Sequence, residues 1–319
     1  MAKQFRIKRR VAQVPVVFGT SVTVDLPRGY DIESVFFYLS GSITLSSAGT
    51  AVRAESPMGL VQRAEIIADG RNTIASVRAD AMQQYSPVRR SQGARTAPLG
   101  FAISTAYTFN GSFAIDQQMV DGIRPKDSNL RTSGMSLLQC RLTFGQATDM
   151  FTGTPVGALS TTFVDVFTSE LVEIADEQGE VTTPLYLIKR SYQDVSISGA
   201  NSNLEIPLPV GNLFRGCLLR ASSAGEPSAA VLNNVILRSG VDVRINLPIA
   251  DLRISNQMDY GFAPPTGYAF ADTMYNGALA GVRTSEGWDL TRASEAKLAL
   301  DVSAPTTPAV SVMSIELLS

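Results

Sequence analysis

The chain has 319 residues, of which 45% are hydrophobic and 18% are charged, so its composition is that of a folded, rather apolar protein. Its length suits one large domain or two ordinary ones. Its formal net charge of -2 indicates no preference for nucleic acid or any other charged partner. Histidine is absent, which removes the commonest general base, the usual metal ligand and every nucleophile that depends on a histidine.

The chain begins with a strongly basic segment. Its five positive side chains are Lys3, Arg6, Lys8, Arg9 and Arg10, so the remaining residues sum to -7 (-2 minus 5). Such a segment is suited to bind phosphates of nucleic acid or lipid. However, residues 5–9 (F-R-I-K-R) recur as residues 186–190 (Y-L-I-K-R), which favours a structural strand with solvated Lys and Arg side chains. Both interpretations stay open.

Strand signals follow through the first half, where apolar and polar residues alternate and turn residues separate the runs. The predicted strands are 14–17, 22–26, 35–45, 63–68, 72–77, 107–115, 136–144 and 162–172. Asp69-Gly70 indicates a hairpin turn, because glycine accepts positive φ without cost. Residues 79–85 lack the alternation and predict a short helix, which Pro87 ends. A long irregular stretch, 88–105, comes next.

The only polar linker near the middle is 175–184 (A-D-E-Q-G-E-V-T-T-P). It predicts a first domain of residues 1–175 and a second of residues 176–319. The second half repeats the order of the first, with strands at 185–188, 194–197, 204–208, 215–221, 233–238 and 242–247, a helix at 250–258, and strands at 268–271, 296–302 and 310–317. The segment 260–288, rich in Gly, Pro, Tyr and Ala, is a long loop before the last two strands.

The two halves also match in sequence, which indicates an internal repeat. Residues 22–29 (V-T-V-D-L-P-R-G) correspond to residues 204–211 (L-E-I-P-L-P-V-G), with alternating apolar residues and then Pro-x-Gly in both. Further matches occur in the same order: 5–9 with 186–190, 66–70 with 236–240, 79–81 with 250–252, Gly111 and Asp116 with Gly267 and Asp272, and Val164, Val166, Glu170 and Leu171 with Val310, Val312, Glu316 and Leu317. The spacing shrinks only between these blocks, where loops tolerate deletion. This predicts a duplicated domain; the alternative is chance similarity of two β-rich halves.

The strand pattern predicts an all-β fold, with a sandwich or jelly roll in each half. A parallel α/β fold is disfavoured because helical patterns do not alternate with strands. Cys140 and Cys217 lie in apolar, strand-like runs in different halves and lack metal-ligand spacing. They are interpreted as buried free thiols, with an inter-domain disulfide as the alternative. No stretch has the composition of a transmembrane helix.

The sequence lacks the common motifs of catalytic and nucleotide-binding sites. It contains no phosphate-binding glycine loop, no dinucleotide fingerprint and no nucleophile elbow. The candidates for a glycosidase pair are the repeated carboxylates Asp116, Asp272, Glu170 and Glu316. The candidates for a sugar-binding surface are the aromatic residues Trp288, Tyr260, Tyr268 and Tyr275. A structural role is favoured for all eight: solvated or hairpin-supporting glutamates, aspartates at strand ends, and aromatics packed in loops or at a subunit interface.

From about Phe5 to Leu317 the pattern resembles the double jelly-roll major capsid proteins of tailless icosahedral viruses, the adenovirus and tectivirus lineage, which includes membrane-containing bacteriophages. Residues 267–279 (G-Y-A-F-A-D-T-M-Y-N-G-A-L) and 296–302 (A-K-L-A-L-D-V) look like the closing section of the second jelly roll in compact phage members. The resemblance implies two tandem eight-stranded jelly rolls, each with a short helix, and no catalytic residue, cofactor or metal.

The resemblance also implies a virion protein, made in the host cytoplasm, that forms homotrimers with six similar units around a pseudo-hexagonal ring. Its partners would be further copies of itself, the penton and minor capsid proteins, and internal membrane lipid or genome at the inward-facing basic N-terminus. The loops 88–105 and 260–288 would face outward or bridge subunits. The alternatives are a viral spike, tail or carbohydrate-binding β-sandwich protein and, third, a carboxylate-dependent glycosidase.

Overall fold

The protein consists of two compact units. The computed structural model of the chain describes residues 3–85, 95–118, 128–174, 186–273 and 287–318. Most residues up to Leu187 belong to the first unit, and those from Ile188 belong to the second. The predicted domain boundary between residues 175 and 176, with its polar linker, lies outside the described residues and stays a prediction.

The first unit contains nine strands within the described ranges. They are β1 (Lys3–Pro15), β2 (Ser21–Asp25), β3 (Asp31–Val52), β4 (Val61–Ala68), β5 (Asn72–Val77), β6 (Arg95–Thr96), β7 (Ala106–Asp116), β8 (Leu138–Phe144) and β9 (Phe151–Ile174). They pair antiparallel in the orders β1-β9-β3-β7-β6 and β5-β4-β8-β2. The helix α1 (Ala79–Tyr85) follows β5. This alternation of the chain between two antiparallel sheets is the topology of a jelly roll.

The second unit has the same plan. Its strands are β10 (Leu187–Ser196), β11 (Asn201–Pro207), β12 (Leu213–Ser223), β13 (Glu226–Pro227), β14 (Leu232–Ser239), β15 (Asp242–Pro248), β16 (Tyr268–Asp272), β17 (Trp288–Asp289), β18 (Lys297–Val302) and β19 (Pro308–Leu318). They pair in the orders β10-β19-β12-β16 and β11-β18-β14-β15, while β13 and β17 also pair with β12. The helix α2 (Ile249–Tyr260) follows β15.

The repeat seen in the sequence is therefore a repeat of strands. The orders β1-β9-β3-β7 and β2-β8-β4-β5 of the first unit correspond to β10-β19-β12-β16 and β11-β18-β14-β15 of the second. Each matched block falls on corresponding elements; for example, residues 22–29 begin on β2 and residues 204–211 on β11. The prediction of an all-β fold with two eight-stranded jelly rolls and one short helix in each is confirmed.

Turn chemistry positions the first hairpin as predicted. Asp69 and Gly70 have φ of 51° and 70° between β4 and β5. The Asp69 carboxylate accepts hydrogen bonds from the hydroxyl of Ser136 (2.8 Å) and from its backbone N–H (2.7 Å), which lower the pKa of Asp69. These bonds attach the turn to the segment that leads into β8.

Several predicted bounds are wrong. The strands predicted at 35–45 and 162–172 are only parts of β3 and β9, which have 22 and 24 residues and form one long antiparallel pair with several register shifts. The parts that the prediction missed, mainly residues 46–52 of β3 and 151–161 of β9, are rich in Ser, Thr and Gly. They therefore lack the apolar alternation on which the prediction depended. The two strands predicted at 185–188 and 194–197 are the single strand β10.

Each unit has its own apolar interior. In the first, the rings of Phe37 and Phe113 stack across β3 and β7 with centroids 4.6 Å apart. In the second, Leu219 on β12 and Leu300 on β18 are completely buried in a cluster that draws on both sheets. Among the described residues, no helix is long and apolar enough to cross a membrane.

The two cysteines are free thiols buried in these interiors, Cys140 on β8 and Cys217 on β12. The interpretation as buried thiols is confirmed, and the alternative of a disulfide is wrong. Burial, with a smaller contribution from the charge of Glu65, raises the pKa of Cys140 to about 12. Burial, with the charge of Asp272, raises the pKa of Cys217 to about 12 as well.

We expect neither cysteine to react in the folded protein. A thiolate is the reactive species, and both groups are protonated and inaccessible near neutral pH. Titration with a chromogenic disulfide reagent should detect no thiol in buffer and two thiols per chain in guanidinium chloride. The variant Ser21→Cys, at an exposed position of β2, is the control and should react at once. Rapid reaction of the unmodified native chain would contradict the burial of both groups.

Candidate functional site

The basic N-terminal residues lie on an edge strand of the first unit. Within the described residues, β1 pairs only with β9 and forms one edge of the five-stranded sheet. Lys8 is exposed, and the side chain of Lys3 lies outside the described part of the structure. The other three basic residues of the segment, Arg6, Arg9 and Arg10, each form an ion pair within the first unit.

Arg9 forms the pair with the most deeply buried carboxylate. Its guanidinium donates two hydrogen bonds to Glu170 on β9, each 2.8 Å long, and the hydroxyl of Thr168 donates a third of 2.6 Å. The side chain of Glu170 has no exposed surface, whereas that of Arg9 is 46% exposed. The contact follows from the register, because Arg9 lies opposite Thr168 and Ile7 opposite Glu170.

Arg6 forms a second pair, with Glu33 near the start of β3. One guanidinium nitrogen donates to Glu33 at 2.9 Å, and Glu33 also accepts hydrogen bonds from the hydroxyl of Ser169 (2.9 Å) and the side-chain amide of Gln118 (3.3 Å). The hydrogen bond to Glu33 raises the pKa of Arg6 despite partial burial.

Arg10 forms the third pair, with Asp165 at 2.5 Å. These pairs support the interpretation of the basic segment as a structural strand; its contact with lipid or genome stays a prediction.

The expectation that the internal copy of this block is solvated is wrong. Arg190 on β10, which corresponds to Arg9, is buried and only 1% exposed. Lys189 beside it is partly buried.

The candidate catalytic carboxylates lie within the sheets. Glu170 and Glu316 are both buried, at corresponding places opposite Ile32 on β3 and Phe214 on β12. Glu316 accepts a hydrogen bond of 2.8 Å from the side-chain amide of Asn212. Neither glutamate is solvated, contrary to one of the two predicted roles. Because neither reaches solvent, the geometry favours structural roles over attack on a sugar.

The candidate aspartates end corresponding strands, as predicted. Asp116 is the last residue of β7, and Asp272 is the last residue of β16. Both are partly buried. The Asp272 carboxylate accepts a hydrogen bond from the hydroxyl of Tyr260, which ties the end of α2 to this strand.

Of the candidate aromatic residues, the three that the structure describes are buried or partly buried: Trp288, Tyr268 and Tyr260. Trp288 is buried in the second unit, its indole N–H donates to Asp242 (3.1 Å), and the guanidinium of Arg244 lies 5.6 Å from its ring. Tyr268 is 1% exposed, and Tyr275 lies outside the described residues. In the described part of the chain, no group of three or more Cys, Asp or Glu side chains is arranged to hold a metal ion.

A feature that the sequence reasoning missed is the exposed surface of α2 and β15, which we call the α2–β15 face. It carries three exposed apolar side chains, Val243 (50% exposed), Ile254 (57%) and Met258 (77%). Ile254 and Met258 are four residues apart and therefore lie on one side of the helix. The opposite side holds Leu252 and Asn256, which are buried. The sequence could have indicated this face, because α2 has apolar residues on more than one side and a helix at a protein surface usually has them on one side only.

Asn256 fixes the orientation of α2. Its side-chain amide donates to the carbonyl of Phe270 on β16 (2.7 Å), and its oxygen accepts from the N–H of the same residue (2.8 Å). The ring of Phe270 lies edge-on to Tyr260 with centroids 5.9 Å apart. The helix is thus held on its inner side, and its outer side presents Ile254 and Met258.

The fold is similar to that of solved virus proteins. A chain in the atomic structure of Sulfolobus turreted icosahedral virus superposes with a TM-score of 0.74 at 19% identity, covering 98% of this chain and 90% of that chain. The major capsid protein P2 from bacteriophage PM2 gives a TM-score of 0.63 at 13% identity, with coverage of 99% and 98%. A chain of the PBCV-1 virus capsid gives 0.63 at 11% identity, with coverage of 99% and 94%.

No family model and no curated protein matches the sequence. The similarity therefore resides in the fold, which is the double jelly roll.

Proposed function

We propose that the chain is the major capsid protein of an icosahedral virus, with a structural and not an enzymatic role in the virion. The observation that carries this proposal is the strand-for-strand repeat of a jelly roll within one chain, in a fold shared with a known major capsid protein along nearly its whole length. A shell subunit needs extensive contact surfaces and no active site. The buried candidate carboxylates and aromatics described above are consistent with that requirement.

The proposed assembly is a homotrimer. Three copies of a chain with two similar units place six such units around one pseudo-hexameric capsomer. A closed ring of this kind needs only one type of head-to-tail contact, repeated three times. The proposal further includes penton and minor capsid proteins as partners, and internal lipid or genome opposite the start of the N-terminal segment, where Lys3 is the candidate, since Arg6, Arg9 and Arg10 form ion pairs.

We expect the purified chain to elute as a trimer. Light scattering after size exclusion should give about 102 kDa, three times the 34.1 kDa of one chain. Negative-stain images of the same fraction should show rings with six lobes. A mass of one chain at the highest soluble concentration, with the β fold intact by circular dichroism, would contradict the proposed assembly.

A further inference from the structure

We infer that the α2–β15 face binds the β1 edge of a neighbouring copy, and that this contact closes the ring of the homotrimer. The inference rests on the proposed function, because it names the surfaces through which the proposed trimer forms. It commits to a second copy of this chain as the occupant of the face.

The first argument is a difference between corresponding elements of the two units. Six of the seven residues of α1 are buried, whereas only Leu252 and Asn256 of the twelve residues of α2 are buried. Likewise, β5 buries Ile74, Ala75 and Val77, whereas no residue of β15 is fully buried. The helix and the strand before it are thus covered in the first unit and uncovered in the second. A repeat that builds the same elements twice predicts that the second set is also covered in the assembled state.

The second argument is the apolar character of the uncovered surface. Val243, Ile254 and Met258 are each at least half exposed. Ile254 and Met258 are neighbours on one side of α2, and neighbouring apolar side chains left in water are typical of a surface that binds a partner. No described strand pairs with the outer edge of β15, so the backbone of this strand is also open to a neighbour.

The third argument identifies what fits there. The exposed carboxylates of α2 are those of Asp251 and Asp259, and Asp259 accepts a hydrogen bond from the hydroxyl of Ser255 (3.2 Å). Arg253 instead donates to the carbonyl of Pro264 at 2.8 Å. The edge strand β1 offers the complement, with the exposed cation Lys8 and the exposed ring of Phe5 (47%). Both β1 and β15 are sheet edges within the described residues, and edge strands are the usual sites of association between sheets.

These two surfaces are different patches on the same chain. A contact between different patches is heterologous, and its repetition closes into a ring when the rotation allows. The α2–β15 face belongs to the second unit and β1 to the first, so each copy would use one unit to bind each of its two neighbours. This is the single type of contact that a homotrimer requires.

The first test is the double variant Ile254→Glu/Met258→Glu. Two carboxylates at an apolar contact should raise the concentration at which half of the trimer dissociates by at least about 100-fold, since an unpaired charge is costly to bury. The control is Val156→Glu, which changes an apolar residue of similar exposure (59%) in the first unit, outside the part of β9 that pairs with β1, and should remain trimeric. Circular dichroism should show that all variants keep their β fold. A double variant that remains a trimer like the wild type would overturn the inference.

The second test locates the contact directly. Chains with Lys8→Cys and chains with Met258→Cys are co-expressed, purified and treated with a short bifunctional maleimide. Cross-linked pairs should form in the mixture and not in either variant alone, and the buried Cys140 and Cys217 should stay unreacted. A wild-type trimer whose mixed chains do not cross-link would overturn the surface assignment and leave the proposed function intact. A cross-link within one variant alone would place equivalent residues of two copies beside each other and also overturn it. A monomeric wild type would instead contradict the proposed function.

Discussion

Replacing Arg9 by methionine should lower the free energy of unfolding by about 3 kcal/mol, because it leaves a buried carboxylate without its charged partner. Glu170 has no exposed surface and accepts two hydrogen bonds from Arg9. The hydroxyl of Thr168 remains as one donor, and it cannot neutralise the charge. Methionine keeps the aliphatic contacts of the arginine stem, so the loss reports mainly on the ion pair.

The control for this substitution is Arg10→Met on the same strand. Arg9 and Arg10 are almost equally exposed, at 46% and 47%, but the partner of Arg10, Asp165, is 17% exposed. Water can therefore solvate Asp165 when the cation is lost, and the expected cost is about 1 kcal/mol or less. Urea unfolding followed by circular dichroism, at one protein concentration, measures both. Equal losses for the two variants would contradict the dependence on carboxylate burial.

A second control separates the charge from the hydrogen bonds. In the double variant Arg9→Met/Glu170→Gln the buried group is neutral, so much of the lost stability should return. The Thr168 hydroxyl can still bond to the amide oxygen of the glutamine. A double variant that is less stable than Arg9→Met would contradict the claim that an unpaired charge causes the loss.

The strands with alternating apolar residues and explicit turns could be predicted from the sequence. The predicted strand 72–77 and helix 79–85 coincide with β5 and α1. In these segments, local periodicity and the local turn at Asp69-Gly70 determine the structure, so neighbouring residues carry the information. The duplication was visible for the same reason, since both copies of a strand need the same alternation.

The placement of charged side chains could not be predicted in this way. Arg190 was expected on a solvated face, and a solvated position was one of the two roles expected for Glu170, yet both are buried. Glu170 is satisfied by Arg9, which is 161 residues away in the chain, so no local pattern contains the pair. Residues 46–52 of β3 and 151–161 of β9 were not predicted as strand for a related reason. Each is stabilised by its pairing with the other along its whole length and not by its own composition.

The exposed α2–β15 face shows a third limit. A sequence shows that Ile254 and Met258 are apolar but not whether their partner lies in the same chain. Corresponding helices in the two units differ in burial although both follow the same strand of the jelly roll. Only the structure shows that Leu252 is buried whereas Ile254 and Met258 on the same helix are exposed.

Replacing Gly267 by alanine should lower the free energy of unfolding by about 3 kcal/mol or more, from backbone strain and a steric clash together. Gly267 precedes β16 with φ of +81°, and an added Cβ would lie 2.6 Å from the nitrogen of Ser228 and 2.8 Å from the carbonyl oxygen of Ala221. Those two atoms are hydrogen-bonded to each other at 2.9 Å, and the carbonyl of Gly267 accepts from the N–H of Ala221 at 2.7 Å. The methyl group would therefore have to displace the backbone of a buried part of β12.

The control is Gly240→Ala in the turn between β14 and β15. Gly240 also has positive φ, +55°, but an added Cβ would meet no atom within 4 Å. This variant bears only the cost of a left-handed alanine, about 1 kcal/mol, so the difference between the two variants isolates the clash. Urea unfolding at one protein concentration gives that difference. A Gly267→Ala protein no less stable than the Gly240→Ala protein would mean that β16 can move away from β12 without cost, contrary to the close backbone approach that joins the two strands at Gly267.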